Sequence, residues 1–310
     1  MTFMKQKHVS KKRMINMARL DMEVGGKKKS GSKSGGMQTR LELTVQYVIL
    51  GVLSLAFLIP FYWMFSESIK TPSEIFEVPA RWAPRIPQWQ NYIRLLSEFP
   101  FFLFFRNTMV VVAANIVGSV LSNSLIAYGF SRIDWKHRDK VFVLVIITMI
   151  LPFQVTMIPL FLLFQKMHWI GTFLPLTVTA FFGNSFFIFL IRQFFMGIPK
   201  ELSYSAKVDG ANEFRTYWSI IMPLAKPALT TVVIFAFLRS WNDFIGPLIF
   251  LSNDKLYTLS LGAQSIISDM EPKWDILMTL GVVMTAPVLI LFFVLQKYFI
   301  QGIALSGIKG

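Results

Sequence analysis

The chain of 310 residues contains no cysteine. It therefore has no disulfide framework, no thiolate metal site and no cysteine nucleophile. Histidine is nearly as scarce, because only His8, His137 and His168 occur and they lie far apart in the sequence. We expect no metal site, since a metal ion needs several ligands close together.

The sequence also lacks the motifs of a hydrolytic enzyme. The nearest approach to a phosphate-binding loop starts at Gly26, but the residue after Gly31 is Ser32, where the motif requires lysine. No GxSxG or HExxH pattern occurs, and the apolar segments hold too few carboxylates for a catalytic pair. We predict no catalytic residue and no cofactor bound by this chain, so any coupled chemistry must come from a partner.

Charged residues make up only 15% of the chain, whereas 54% are hydrophobic and the mean hydropathy is +0.53. The apolar residues are grouped in runs, and a helix of about 20 residues crosses a hydrocarbon core of about 30 Å. The pattern predicts an all-α membrane protein with six transmembrane helices, at residues 44–65, 107–130, 141–164, 172–195, 224–250 and 276–300. Several runs contain prolines that predict kinks, namely Pro152, Pro159, Pro175 and Pro287.

The distribution of basic residues predicts the orientation of these helices. Lysine and arginine are dense in residues 1–43 and frequent in residues 131–140 and 192–226, whereas residues 252–275 carry more acidic than basic side chains. Because short basic segments stay in the cytoplasm, we expect both termini on the cytoplasmic side and residues 67–105 outside.

The amino-terminal tail, residues 1–43, contains the stretch KKKSGSKSGG, which has no apolar periodicity and predicts disorder. Its lysines and those of the inner loops account for the net charge of +14. Each lysine near a membrane attracts anionic lipid headgroups by about 1 kcal/mol. We expect membrane lipid as the partner of the tail and no nucleic acid, because no aromatic residues are interleaved with the lysines.

A polar segment, residues 199–223, separates the fourth and fifth apolar runs and is longer than a connector needs. The first of its two predicted helices has a face of mostly small side chains, formed by Leu202, Ser205, Ala206 and Asp209. Gly210 ends this helix, Asp209 is expected to cap the second helix, and Pro223 closes it. The second helix has a predicted apolar stripe of Phe214, Trp218 and Ile221. Periodicity alone fits a helix at the bilayer surface as well as a docking element.

The 199–223 loop resembles the cytoplasmic coupling loop of permease subunits of bacterial ATP-binding cassette importers. That loop has the signature Glu-Ala-Ala, three residues, Gly, nine residues and Ile-x-Leu-Pro. The matching residues here are Ala206, Asp209, Gly210, Ala211, Phe214, Ile220, Pro223, Leu224 and Pro227. Met222 replaces the usual leucine, and Tyr204 and Ser205 replace the usual glutamate and alanine. The resemblance implies ATPase contact at Glu201, Ser205, Ala206, Asp209, Gly210, Ala211, Phe214, Ile220 and Pro223, with Glu201 as a candidate substitute for the missing carboxylate.

Other segments resemble the carbohydrate importers of the maltose type, and in particular the second of their two permease subunits. These segments are Asn91-Tyr92, Arg106-Asn107-Thr108, and residues 189–195, 241–244, 247–249 and 296–310. The resemblance implies a type I importer fold in the bacterial cell membrane. It also implies a second homologous permease subunit, two cytoplasmic ATPase subunits that use ATP and Mg, and an extracellular solute-binding protein.

Polar residues inside the predicted spans are candidates for the sugar path, because such residues normally face a bundle interior or water. The candidates are Gln154, Asn184, Arg239, Asn242 and Asp243. Structural alternatives remain open: Asn115, Asn123 and Asn184 can hydrogen-bond across helices. Arg239 and Asp243, spaced i and i+4, can form an ion pair within one helix.

Three other functions stay open. A self-contained secondary transporter would need paired ionisable groups and broken helices, usually in inverted repeats, and no convincing repeat is visible. A membrane scaffold without transport would leave the polar fifth span unexplained. An importer of a non-sugar solute is the third alternative, and the sequence does not identify the sugar.

Overall fold

The computed structural model describes residues 34–268 and 271–307. Most of the predicted basic tail, and with it the expected contact with lipid, lies outside the described residues. Residues 34–43, which the sequence places in the tail, form the first turns of a helix. Residues 37–43 contain no glycine or proline and are rich in good helix formers, which accounts for the helix there. The chain divides into two compact units, residues 1–61 and 62–310.

Helix is the only regular secondary structure in the described residues. The α-helices are α1 (Ser34–Ser68), α2 (Pro72–Ile75), α3 (Gln90–Glu98), α4 (Phe101–Ser131), α5 (Arg138–Ile147), α6 (Phe153–Lys166), α7 (Leu174–Thr177), α8 (Ser185–Gly197), α9 (Lys200–Val208), α10 (Glu213–Thr216), α11 (Met222–Leu224), α12 (Lys226–Trp241), α13 (Ile245–Phe250), α14 (Leu259–Ser268) and α15 (Trp274–Gly307). Short 3₁₀ turns occupy Thr148–Ile150, Val178–Phe182 and Asp254–Leu256, and Tyr217–Ile221 is a π-helical turn.

Four helical segments are individually long and apolar enough to cross a membrane, and two bent helix pairs raise that number to six if each pair is one span. The prediction of an all-α protein with six spans is confirmed in that form. The first, second and last spans lie in α1, α4 and α15, each of which extends beyond its predicted apolar run. Pro287 lies inside α15, and Pro159 lies inside α6.

The predicted third span, residues 141–164, is two helical segments that meet at an angle of 97°. The break falls between the 3₁₀ turn and α6, at Leu151 and Pro152, both of which have extended ψ angles. Proline has no N–H to continue the helix and disfavours helical geometry in the residue before it. The sequence therefore locates the bend at Pro152 but not its size.

The predicted fourth span, residues 172–195, is also interrupted. It consists of α7, a 3₁₀ turn and α8, and Gly183 before α8 has a φ angle of 91°. A Cβ atom at Gly183 would lie 2.8 Å from Cδ1 of Ile126 on α4. Glycine is thus required by both the backbone conformation and the close approach of the neighbouring helix.

The predicted fifth span, residues 224–250, is not a single helix. At its start, Lys226–Trp241 meets the end of the preceding loop, Glu213–Leu224, at an angle of 79°. The span then breaks at residues 242–244 before α13. Pro227 at the second position of α12 lacks an N–H group, which costs nothing in a first helical turn. Within the predicted fifth span, the longest continuous helix is α12.

The core of the second unit forms around α4, which packs against α8, α12 and the 3₁₀ turn at Val178–Phe182. One buried cluster joins α4, α8 and α12 to the 199–223 loop and includes Ile191, Ile221 and Val232, each fully buried. A second joins α4 and α12 to α14 and α15. The loop is thus part of the folded core on one side.

A buried ion pair stabilises the segment after α1. Lys70 donates to Glu67 at 2.8 Å and to the carbonyl oxygen of Arg81 at 2.6 Å, and its ammonium lies 5.0 Å from the centre of the Trp63 ring. Both charged side chains are at most 3% exposed. Each charge therefore depends on the other for compensation.

We predict that Lys70→Met lowers the free energy of unfolding by about 3–5 kcal/mol, because it leaves the Glu67 carboxylate buried without a counter-charge. The double variant Glu67→Gln, Lys70→Met should recover most of that loss. Thermal unfolding of the detergent-solubilised protein measures both. Equal losses in the single and double variants would show that the unpaired Glu67 carboxylate is not the cause of the loss.

A second prediction concerns the packing of α14 on α4. A Cβ atom at Gly262 would lie 2.6 Å from Cε2 of the buried Phe104 ring, so Gly262→Ala should destabilise the protein by about 1–3 kcal/mol. The matched control is Gly129→Ala on α4, where no atom lies within 4 Å of the new methyl group. We expect the control to be neutral or slightly stabilising, because alanine is the better helix former. Equal melting temperatures for the two variants would contradict the close packing.

Candidate functional site

The first half of the 199–223 loop is α9 followed by a glycine turn. Gly210 has a φ angle of 80°, and its N–H donates to the carbonyl oxygen of Lys207 at 3.0 Å. The N–H of Ala211 donates to the carbonyl oxygen of Ala206 at 2.9 Å. These two bonds form a Schellman motif, which needs a left-handed residue at the position of Gly210. The glycine of the signature therefore has a defined conformational role here.

The prediction that Asp209 caps the second helix is wrong. Asp209 is the C-cap of α9, and the side chain of Asn212 caps α10 by accepting from the N–H of Arg215 at 2.8 Å. The two residues of the Schellman turn separate the helices, so the cap falls further along the chain than helical spacing alone indicates. Asn212 is one of the preferred N-cap residues, and a search for such residues after Gly210 finds it.

The predicted apolar stripe of Phe214, Trp218 and Ile221 is also wrong. Phe214 and Trp218 are 68% and 53% exposed and stack with ring centres 6.5 Å apart, whereas Ile221 is fully buried. The π-helical turn at Tyr217–Ile221 places an extra residue in the helix and changes which side chains share a face. The aromatic pair thus faces away from the core, and Ile221 faces into it.

The predicted ATPase-contact residues divide by exposure. Those exposed are Glu201, Ser205, Asp209, Gly210, Phe214 and Pro223. Ala211 and Ile220 are half-buried, and Ala206 is buried together with Ser203. The proposed small-residue face of α9 is therefore split, because Ala206 packs inward while Leu202, Ser205 and Asp209 are exposed. Tyr204, which stands in the glutamate position of the signature, is 57% exposed.

Sequence reasoning missed the contacts that hold the loop to α4. The Glu213 carboxylate accepts from the Lys207 ammonium at 2.6 Å and from the Tyr128 hydroxyl at 2.7 Å. These donors, Lys207 first, hold the pKa of Glu213 below its usual range. The Tyr217 hydroxyl lies 2.8 Å from that of Ser124. Glu213 opens α10 and could be noticed as a first-turn acid, but nothing in the sequence points to Tyr128.

Two arginines join the helix ends next to the loop. Arg132 follows α4 and donates to the carbonyl oxygens of Phe195, in the last turn of α8, and of Ile198, just after it, the latter at 2.6 Å. Arg192 donates to Asp139 at 3.0 Å, and its guanidinium lies 3.9 Å from the centre of the Phe142 ring. In the sequence both arginines serve as orientation signals, and Arg192 also lies in the segment 189–195 that resembles carbohydrate importers. In the structure they fix the ends of α4, α5 and α8 to one another.

A polar cavity of about 260 Å³ opens between α4, the broken fourth span and the α12–α13 segment. Of the five predicted path residues, Asn184, Arg239 and Asp243 line it. Gln154 and Asn242 do not and are exposed elsewhere. Further polar lining comes from Asn115, Ser119, Thr179 and Ser240, and aromatic lining comes from Phe153, Phe187 and Phe250.

Asparagines around the cavity also bind helix backbone. Asn115 donates to the carbonyl oxygen of Leu176 at 2.8 Å, and Asn123 accepts from the N–H of Asn184 at 2.6 Å. The Asn184 side chain instead caps its own helix, α8. Two asparagines of α4 thus bond across helices, as the structural alternative expects, at the place where the fourth span has lost helical hydrogen bonds.

The alternative ion pair between Arg239 and Asp243 does not form in the part of the chain that the structure describes. Because α12 ends at Trp241, Asp243 lies beyond the helix and not one turn above Arg239. Its carboxylate accepts from the N–H of Gly246, in the first turn of α13, at 3.0 Å. The Arg239 guanidinium therefore stays available to the cavity.

Known proteins are similar to this chain in sequence or in structure. One is the arabinooligosaccharides transport system permease protein AraQ of Bacillus subtilis, 34% identical over 87% of this chain and 96% of that protein. Another is the sn-glycerol-3-phosphate transport system permease protein UgpE of Yersinia enterocolitica, 28% identical over 83% of this chain and 93% of its own length. A crystal structure of a bacterial ABC transporter involved in import of the acidic polysaccharide alginate matches 88% of this chain and all of one of its own chains, with 25% identity and a TM-score of 0.76.

The family described as binding-protein-dependent transport system inner membrane component matches residues 116–305, which is more than half of the chain. The matched region contains the 199–223 loop, the broken fourth span and the cavity-lining residues apart from Asn115. The resemblance found in the sequence is therefore confirmed. The chain belongs to the family of inner-membrane components of binding-protein-dependent transport systems.

Proposed function

We propose that this chain is the permease subunit of an ATP-driven importer that moves a carbohydrate, in oligosaccharide form, delivered by an extracellular solute-binding protein. Its partners are a second homologous permease subunit and two ATPase subunits that hydrolyse ATP with Mg on the cytoplasmic side. The chain binds no nucleotide itself. The observation that carries the proposal is the 199–223 loop, which is folded into the core on one side and exposes a signature glycine turn on the other.

Both termini and the 199–223 loop lie on the cytoplasmic side in this proposal. Support comes from the cations near the loop, Arg132, Arg192 and Lys207, together with the basic tail. The tail meets anionic lipid at the same membrane surface.

The exposed side of the loop is the proposed ATPase contact. It carries the stacked pair Phe214 and Trp218 beside the Gly210 turn, and aromatic side chains contribute strongly to protein interfaces. Tyr204 stands in place of the usual glutamate, so binding of the ATPase rests on shape complementarity and apolar contact. Glu201 is the nearest exposed carboxylate on α9. Ala206 contributes indirectly, by seating α9 against the core.

The cavity is the proposed part of the sugar path contributed by this subunit. Asn184, Arg239 and Asp243 offer hydrogen-bond donors and acceptors next to the rings of Phe153 and Phe250. Sugars present hydroxyl groups at their edges and C–H groups on their faces, so amide, charged and aromatic side chains together suit them. Gln154 and Asn242 would contact the sugar only in another conformation, in which α6 or the segment between α12 and α13 turns toward the cavity.

Transport follows from two conformations of the assembly. The ATPase subunits draw the coupling loops together when ATP is bound and release them after hydrolysis, and this chain passes the movement to its helices. The breaks at Pro152, Gly183 and residues 242–244 divide the spans into short rigid pieces that can shift separately.

To test the function, the complex purified through a tag on this chain is reconstituted in vesicles with its solute-binding protein. We expect ATP hydrolysis that the loaded binding protein stimulates, and uptake of arabino-oligosaccharides or alginate oligosaccharides. Uptake driven by an ion gradient without ATP would instead establish a secondary transporter. Uptake of sn-glycerol 3-phosphate in preference to the sugars would establish the non-sugar importer.

The loop contact has its own test at Gly210. Valine there is forced into a left-handed conformation at a cost of about 1–2 kcal/mol, whereas asparagine tolerates that conformation. We expect Gly210→Val to insert normally into the membrane but to lose co-purification with the ATPase or its coupling to uptake, and Gly210→Asn to retain most of both. Unimpaired uptake by the valine variant would refute the role of the glycine turn.

A further inference from the structure

The carboxylate of Glu213 joins two parts of the molecule that are far apart in sequence. One oxygen accepts from Lys207 on α9, and the other accepts from the hydroxyl of Tyr128 near the end of α4. The Tyr128 ring is 3% exposed and packs edge-on against the Tyr217 ring, with centres 5.3 Å apart. A single side chain therefore ties α9, α10 and α4 together.

A second hydrogen bond runs parallel to the first. Tyr217, also 3% exposed, shares a hydrogen bond with Ser124, one turn before Tyr128 on α4. The π-helical turn at Tyr217–Ile221 turns Tyr217 and Ile221 inward, and both belong to the buried cluster with Ala127 and Tyr128. The second half of the loop is thus bonded to two successive turns of α4.

The connection along the chain is different. The loop leads directly into α12, but the path turns by 79° at Ala225 between Glu213–Leu224 and Lys226–Trp241. The turn is itself bonded, because the Ala225 N–H donates to the carbonyl oxygen of Ile221 at 3.0 Å. The hydrogen bonds of Glu213 and Tyr217 give the loop a second, direct connection, which leads to α4 and not to α12.

We propose that Glu213 and Tyr128 are positioning residues that make the 199–223 loop move as one body with α4, the helix that also lines the cavity. This inference rests on the proposed function, in which the loop receives the ATPase movement. A hydroxyl that donates to a carboxylate forms a strong, charge-assisted bond. The Lys207–Glu213 ion pair is about half exposed on both sides and contributes little by itself.

The native sequence is well suited to a distance measurement, because it has no cysteine to remove. Spin labels are attached at Val208→Cys on the loop and Leu125→Cys on α4, two exposed positions, with the chain in lipid nanodiscs. Losing a hydrogen bond to a charged group should raise the population of detached loop by about tenfold. We expect one narrow distance distribution in the labelled parent, and added longer distances in Tyr128→Phe and Glu213→Gln.

The matched control is Tyr92→Phe, which removes a tyrosine hydroxyl that lies 3.1 Å from the Ser68 hydroxyl, between α3 and the end of α1. It should leave the label distances unchanged. The same distribution in the parent, Tyr128→Phe and Glu213→Gln would overturn the inference.

The functional readout is the amount of solute taken up per ATP hydrolysed by the purified complex. In Tyr128→Phe and Glu213→Gln we expect the ATPase to stay bound and active while this ratio falls, and in Tyr92→Phe we expect no change. A purely structural role would reduce yield and leave the ratio of the surviving complex intact, which would overturn the positioning role. If the unaltered chain bound no ATPase, the proposed function would fail, whereas the label distances would still decide whether Glu213 and Tyr128 hold the loop.

Discussion

Hydrocarbon offers no hydrogen bonds, so a helix that breaks inside a membrane must find partners for its freed backbone groups. In this chain α4 supplies them. Asn115 bonds the carbonyl oxygen of Leu176, Ser122 bonds that of Ala180 at 3.0 Å, and Asn123 accepts from the N–H of Asn184. The polar side of α4 makes the interruption of the fourth span tolerable, and the interruption in turn creates space for the cavity.

The same helix serves the loop at its other end. Beyond the asparagines, Ser124 and Tyr128 bond the second half of the 199–223 loop, and Arg132 bonds the carbonyl groups past the end of α8. A single 31-residue helix therefore carries part of the cavity lining and the residues that bond the loop. An inner-membrane transport component needs these two places to be connected, and here the connection is one continuous helix.

Hydropathy, basic-residue counts and the signature of the loop predict the membrane class, the six apolar runs and the family. They do not predict the breaks at Gly183 and residues 242–244, because apolar composition continues through both. The Phe214–Trp218–Ile221 stripe assumes a regular helix, whereas a π-helical turn moves Ile221 into the core. The hydrogen bond between Glu213 and Tyr128 joins residues 85 positions apart, so helical periodicity does not reveal it. Asn184, Arg239 and Asp243 were predicted by polarity within spans, but only the fold brings them to one cavity.

The cap that Arg132 places on α8 has a mechanical consequence. Its guanidinium reaches the carbonyl oxygens of Ile198 and Pro199, where the 199–223 loop begins, at 2.6 and 3.4 Å. Glu213 and Tyr217 hold the second half of the loop to α4. A segment that is hydrogen-bonded near both its start and its end resists displacement toward α4 as well as away from it. The loop can thus pass a displacement to α4 in either direction.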